Sequence, residues 1–225
     1  MENQNIHIPY TDLSVQVYER LKEMILTGAL HAGEKIGQEQ MSKMLGVSRM
    51  PLHKAFQMLE DEYLVESIPR RGIFVRKPDL SEIIEAFECR EGLEGIAARR
   101  VAENIRPKEL EELKNLFKPF INNPGIEMLA YRKADQVLHD TIISLSGNKI
   151  LQKMNTIGSV LIRTYPRGIV LPVRESLHDH LQILGALENR DAIKAEELVR
   201  NHSRKARNIL EQELLRNTIN QKNEI

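Results

Sequence analysis

Apolar residues in the first third of the chain change their period once, from helical to strand-like. From about Asp12 to Thr27, Val17, Leu21, Met24 and Ile25 recur at i, i+4, i+7 and i+8, which predicts an amphipathic helix closed by Gly28. Beyond Gly33 a short helix is expected from about Gln38 to Leu45, stopped by Gly46. Ser48 is placed to cap a third helix, which tolerates Pro51 in its first turn and turns Leu52, Ala55, Phe56 and Leu59 inward. After Asp61-Glu62-Tyr63 the period shortens: Leu64 to Ile68 and Ile73 to Arg76 read as two short strands, joined by the basic turn Pro69-Arg70-Arg71-Gly72. Three helices, the last two separated by a tight Gly-Val-Ser turn, and then a hairpin with a basic tip make a winged helix-turn-helix.

Lys77-Pro78 interrupts the chain, and Asp79 with Glu82 three residues on has the spacing of a capping box. Helical periodicity then continues to the C-terminus, over roughly 80–103, 107–121, 126–146, 149–164, 176–189 and 192–219. Pro107, Asn123-Pro124-Gly125, Gly147-Asn148, Tyr165-Pro166-Arg167-Gly168 and Asn189-Arg190-Asp191 separate these segments, and the polar tail after about Arg216 is expected to fray. The expected fold is therefore mainly α: a winged helix-turn-helix over residues 1–77, then an all-α antiparallel helical bundle over 78–225. A chain of 225 residues accommodates two such domains.

Composition adds three constraints. Aromatic residues are only 4% and Trp is absent, so the core must be aliphatic. No apolar run approaches the roughly 20 residues needed to cross a bilayer, and the polar start Met1-Glu2-Asn3-Gln4-Asn5 lacks the plan of a secretory signal. The single cysteine, Cys89, excludes an internal disulfide framework and fits a reducing compartment, so a cytoplasmic protein without membrane partners is expected.

A formal net charge of zero gives no general attraction to nucleic acid, but concentrated charge can still make a local phosphate-binding face. Six of the ten bases in residues 1–78 fall in two places: Arg49 and Lys54, then Arg70, Arg71, Arg76 and Lys77. In a helix-turn-helix the third helix meets the bases with its N-terminal side chains, here Ser48, Arg49, Met50, His53 and Lys54. Arg49 is the candidate for a bidentate contact to guanine. Arg70, Arg71 and Gly72 form the wing tip, suited to a narrow minor groove. The plainer alternative is that these are solvated surface charges.

In the helical half, Asp135 and His139 stand one turn apart on a face shared with Tyr131, Leu138 and Ile142. His180 aligns with Leu177, Leu181, Leu184 and Leu187, and His202 with Ala195, Leu198, Val199, Ala206 and Ile209, while His178 falls on a polar side. Three imidazoles and a carboxylate on inward faces are suitable ligands for Zn, Ni, Fe or Mn. Spacing alone leaves this open, because a histidine on an apolar face is more often a satisfied core residue.

The segment "LTGALHAGEKIGQEQMSKMLGVSRMPLHKAFQMLEDEYLVESIPRRGIFV" resembles the DNA-binding domain of the GntR family, with its L-G-V-S-R-T-P-V-R-E-A-L core and glycine-containing wing. It departs at His53, where the family usually has a DNA-contacting arginine, at Met50, often threonine, and at Glu39, arginine in some members. These departures leave the operator sequence and affinity open. Residues 79–215, through "CREGLEGIAARRVAE", "DQVLHDTIISLSGN" and "HDHLQILGALENRDAIKAEELVRNH", resemble the FCD effector domain of the FadR subfamily. That resemblance implies a divalent metal (Zn by default, or Ni or Mn) on Asp135, His139, His180 and His202, with a small carboxylate effector on its remaining positions. The complete ligand set argues against the metal-free, acyl-CoA-binding members.

The resemblance further implies that Arg90, in the family's R-x-x-L-E helix, faces the effector. Asn148, which could equally cap a helix C-terminus, and Arg163, which could equally be a surface residue, are further candidates. The expected protein is a homodimeric regulator of a palindromic double-stranded operator, not an enzyme. Its alternatives are a regulator for which the metal is itself the signal, and a metallohydrolase. The latter has against it the lack of a His-Glu-x-x-His helix and of a glycine-rich phosphate loop.

Overall fold

A computed structural model describes residues 13–123, 125–165 and 169–223, excepting the side chains of the last three. The polar start of the chain, the first helix's beginning at Asp12 and the breaks at Pro124 and Pro166-Arg167-Gly168 lie outside the described residues. Contacts divide the chain into two compact units, Met1–Lys77 and Pro78–Ile225.

In the first unit, α1 (Leu13–Leu26) buries Val17, Tyr18, Leu21 and Ile25 against α3 (Arg49–Asp61), whose inner face is Leu52, Ala55, Phe56 and Leu59. Between them α2 (Gln38–Leu45) ends at Gly46, whose φ of 65° is the left-handed geometry that makes glycine the fitting residue there. Tyr18 donates to Glu62 at 2.6 Å, tying α1 to the C-terminal end of α3. The hairpin of β2 (Val65–Ile68) and β3 (Gly72–Val75) pairs Val65 with Val75 and Ile68 with Gly72. A third strand completes the sheet: β1 (Lys35–Ile36) pairs antiparallel with β3, in the order β1-β3-β2. Two residues carry no readable alternation, which is why periodicity passes over β1.

The second unit opens on α4 (Leu80–Asn104). Its capping box is complete: the Glu82 amide donates to Asp79 Oδ1 at 2.9 Å, and the Asp79 amide donates to Glu82 Oε2 at 3.0 Å. There follow α5 (Pro107–Phe117), α6 (Met128–Leu145), α7 (Lys149–Thr164), α8 (Val173–Glu188) and α9 (Ala192–Asn223). The helix expected over 107–121 tightens after Phe117 into a 3-10 turn, Lys118–Phe120, containing Pro119. Helix α8 begins earlier than its apolar stripe, directly after Pro172. The tail expected to fray beyond Arg216 is helical to Asn223. Polar composition alone does not stop a helix: no Gly or Pro intervenes, and buried Leu210 anchors the approach.

The larger core cluster of this unit is aliphatic apart from Phe117, Phe120 and Tyr131, with Leu113, Leu138, Ile142, Ile183, Leu187 and Val199 at its centre, and a second cluster gathers Ile83, Phe87, Leu161 and Leu210. Helices α4 and α9 form the unit's most extensive pairing. Along this pairing a Cβ on Gly95 would lie 2.6 Å from Cγ of Arg200, so Arg200 crosses α4 through the space a side chain would take. Arg200 donates to Glu196 at 2.7 Å, and Glu91 accepts ion pairs from Arg204 at 2.5 Å and Arg207 at 3.2 Å. Among the described residues no helix is long and apolar enough to cross a membrane.

Candidate metal centre and nucleic-acid interface

Helix α6 presents Asp135 and His139 one turn apart, α8 supplies His180, and α9 supplies His202. One ligand atom from each of the four lies within 4.8 Å of the others. Asp135 Oδ1 is 3.5 Å from His180 Nε2 and 4.0 Å from His139 Nε2. Side-chain exposure is 4% for His139, 0% for His180 and 7% for His202, against 20% for Asp135, so the carboxylate marks the open side of the cluster.

Each imidazole is held from behind through Nδ1. His139 Nδ1 lies 2.6 Å from Glu94 Oε2, His180 Nδ1 lies 3.0 Å from the Tyr131 hydroxyl, and His202 Nδ1 lies 3.2 Å from Asp179 Oδ2. These partners are themselves anchored. Arg90 donates to Glu94 at 2.8 Å, Tyr131 donates to Ser176 at 3.0 Å, and Lys205 donates to Asp179 at 2.8 Å. With Nδ1 engaged, Nε2 is the nitrogen each ring turns to its neighbours, and in His139 and His180 that atom is buried without a hydrogen-bond partner. An orphaned buried polar atom costs about 1–3 kcal/mol, which coordination to an ion removes. Rings fixed at Nδ1 by carboxylate or hydroxyl and converging through Nε2 are the arrangement by which proteins orient metal-binding histidines. The residues therefore fit a divalent ion.

Electrostatics agree with the donor set. Burial, reinforced by His202 and His139, holds the His180 imidazole well below its ordinary pKa, and burial lowers His202 despite the opposing pull of Asp179. Neutral imidazole is the ligand form. Burial works to raise the Glu94 carboxyl, but the neighbouring Arg90 and His139 outweigh it and bring Glu94 down to about 2. Glu94→Gln removes the charged acceptor behind His139 and leaves Arg90 unpaired. Its metal affinity is expected to fall about 10- to 100-fold, read by competition with a chromophoric chelator, and an unchanged affinity rules out the supporting role.

A cavity of about 70 Å³ opens beside Asp135, His139 and His202. Arg90 and Arg163 line it as expected from the sequence; Arg90 is buried and Arg163 half-buried. Asn148 does not line it. Its side chain caps the N-terminus of α7, accepting from the amides of Ile150 and Leu151 at 3.2 and 3.1 Å, so the cap it makes is at a helix start and not at a C-terminus. The sequence reading missed Arg132, Gln136, Asn155 and Ser159 in the lining. The signal for the first two was present, since 132, 135, 136 and 139 share one helical face.

In the first unit, Ser48, Arg49, Met50, His53 and Lys54 are all exposed over the first two turns of α3. Ser48 occupies the N-cap position, but its side chain makes no capping hydrogen bond. On the hairpin, Arg70 adopts a φ of 63° and Gly72 a φ of 107°, and the Arg71 guanidinium lies 5.4 Å over the Phe74 ring. Lys35 of β1, absent from the sequence reading of the wing, packs beside Gly72: a Cβ there would sit 3.2 Å from Lys35 Cε.

Comparison with known proteins agrees with these two units. Residues 13–75 match the family "Bacterial regulatory proteins, gntR family", and residues 85–205 match the FCD domain. An HTH-type transcriptional regulator of Bacillus subtilis (strain 168) is 28% identical over 148 residues, 64% of this chain and 65% of that protein. A probable D-xylose utilization operon transcriptional repressor of Paenarthrobacter nicotinovorans is 27% identical over 195 residues, 85% of this chain and 86% of that one. The chain spans 44% to 65% of the length of the first curated relatives it matches. Among solved structures, Escherichia coli McbR/YncC superposes with a TM-score of 0.72 at 23% identity, covering 90% of this chain and 98% of that one, a likeness of fold.

Proposed function

Because the chain belongs to the GntR family of bacterial regulatory proteins and carries its FCD domain, we propose that it is a cytoplasmic transcription regulator whose operator binding is set by a small carboxylate effector. The effector binds beside a divalent ion, Zn in the first instance, held by Asp135, His139, His180 and His202. The observation that carries this reading is the pair of orphaned Nε2 atoms on His139 and His180, converging beside an arginine-lined cavity. The ion supplies a Lewis-acidic position on which one carboxylate can complete the coordination. Asp135 anchors the open side of the site, and Arg90 sets a positive charge against the incoming acid.

At the other end of the chain, α3 enters the major groove, with Arg49 at a guanine and Ser48, Met50, His53 and Lys54 around it, while Arg70, Arg71 and Gly72 reach the minor groove. A homodimer presents two such readers to a palindromic operator. Control requires only that the acid bind one arrangement of the dimer more tightly than another. The hydrolase alternative has less support, because the buried carboxylates Glu94 and Asp179 are each committed to a histidine and a cation.

The test is thermal unfolding of Zn-loaded and chelator-treated protein against a panel of small carboxylates. At about 100 times its Kd, a ligand adds roughly 2.7 kcal/mol and raises the midpoint by roughly 5 °C or more, only in the loaded protein. A panel with no active acid, together with operator affinity that follows metal alone, replaces the effector with the metal as signal.

A further inference from the structure

The charges lining the cavity define what kind of acid it takes. Arg90, Arg132 and Arg163 stand against Glu94, Asp135 and Asp140, three positive groups and three negative. A divalent ion on Asp135 and the three histidines therefore leaves two positive charges in a partly enclosed site. Unbalanced charge withdrawn from water is costly, so the occupant that closes this balance is a dianion.

Local pairing says where the second negative group goes. Arg90 is taken by Glu94 at 2.8 Å. Arg163 is 3.8 Å from Asp140, and its guanidinium lies within 2.8 Å of the Gln136 amide oxygen in the amide orientation that satisfies both groups. Arg132 has no carboxylate partner among the described residues; one of its terminal nitrogens donates to the backbone carbonyl of Arg163 at 2.8 Å. It stands one turn before Asp135 on the same face of α6, where side chains three apart are about 5–6 Å from one another at Cβ. An acid bound at Asp135's side of the cluster thus meets Arg132 at its far end.

Size narrows the class further. A cavity of about 70 Å³ is small, which favours a short acid over a long one. We propose that Arg132 is a specificity-determining anion anchor and that the effector is a short dicarboxylate, one carboxylate at the metal and the other on Arg132. This rests on the metal-anchored reading of the site.

Isothermal titration of the Zn-loaded full-length protein tests it, pairing malonate with propionate, succinate with butyrate, and malate with lactate. The expected result is that the diacid of at least one pair binds roughly 10- to 100-fold tighter than its monoacid, the worth of one charge-assisted contact. In Arg132→Gln, which keeps a donor for the Arg163 carbonyl, that preference disappears because diacid affinity falls to the level of the monoacid. Equal binding of both members of every pair by the wild type overturns the dianion proposal and leaves the metal-anchored acid standing, independently of whether the variant folds. A preference that survives Arg132→Gln overturns the assignment to Arg132. Binding of no acid of either class removes the underlying reading, and this proposal with it.

Discussion

In the double variant His180→Ala/His202→Ala, bound divalent metal is expected to fall from about one per chain to a trace, because two ligands cannot hold the ion against buffer as four can. The effect also reads out as stability. In the wild type, saturating metal separates the unfolding midpoints of loaded and chelated protein by the linkage term, about 4 kcal/mol at 1,000 times Kd. In the double variant the two curves coincide. Metal analysis after gel filtration gives the stoichiometry, and calorimetry with and without chelator gives the midpoints. The first unit supplies an internal control, since its packing uses none of these side chains. Unchanged metal content in the variant would falsify the four-ligand site.

The other large effect is expected at Arg49. It is exposed in the first turn of α3, and no described carboxylate holds it away from a base edge. A bidentate guanine contact is worth about 1–3 kcal/mol, and the proposed two-fold dimer would use it twice, so Arg49→Ala is expected to weaken operator binding by about 30- to 20,000-fold. Affinity for scrambled DNA falls far less, because Lys54, Arg70 and Arg71 remain for the phosphates. Fluorescence anisotropy with an operator selected from genomic fragments, against its scrambled version, measures both. A variant that keeps the wild-type ratio between the two duplexes refutes the assignment of the reading helix.

Much of this architecture was legible from spacing, and the reasons are physical. Long amphipathic helices repeat their stripe enough times to be read, so α4, α6 and α7 fall close to where periodicity puts them. The capping box at Asp79 and the glycine stop at Gly46 are local chemistry and are likewise visible. Strand β1 is not, because its two residues are defined by pairing to β3, a partner distant in sequence. At the candidate site, spacing leaves the four residues open and the family resemblance names them as candidate ligands, which the fold brings together, but neither points to the side chains behind them. Glu94 reads as one more acid on a charged helix until the fold sets it between Arg90 and His139. Asp179 sits among polar neighbours, and only docking of α9 gives it His202 and Lys205. Asn148 shows a different limit: Gly147-Asn148 reads as a helix stop, but the Asn148 side chain caps the start of α7.

The seam at Gly95 has a consequence for redesign and for divergence among relatives. Arg200 needs a residue without a side chain opposite it, and Glu91, one turn earlier on α4, needs the arginines of α9. Between those two positions lies Glu94, which supports His139, while α9 carries His202. Helices α4 and α9 are therefore coupled: a chimera that imports either alone is expected to break both the seam and the setting of His139 and His202. The cavity walls contributed by α6 and α7, where Arg132, Gln136, Asn155 and Ser159 stand, lie apart from that seam, and the ties of Arg132 and Gln136 run to Arg163 on the neighbouring α7. A new ligand can be accommodated by changing those walls over an untouched chassis, and this is where a library for altered effector response belongs.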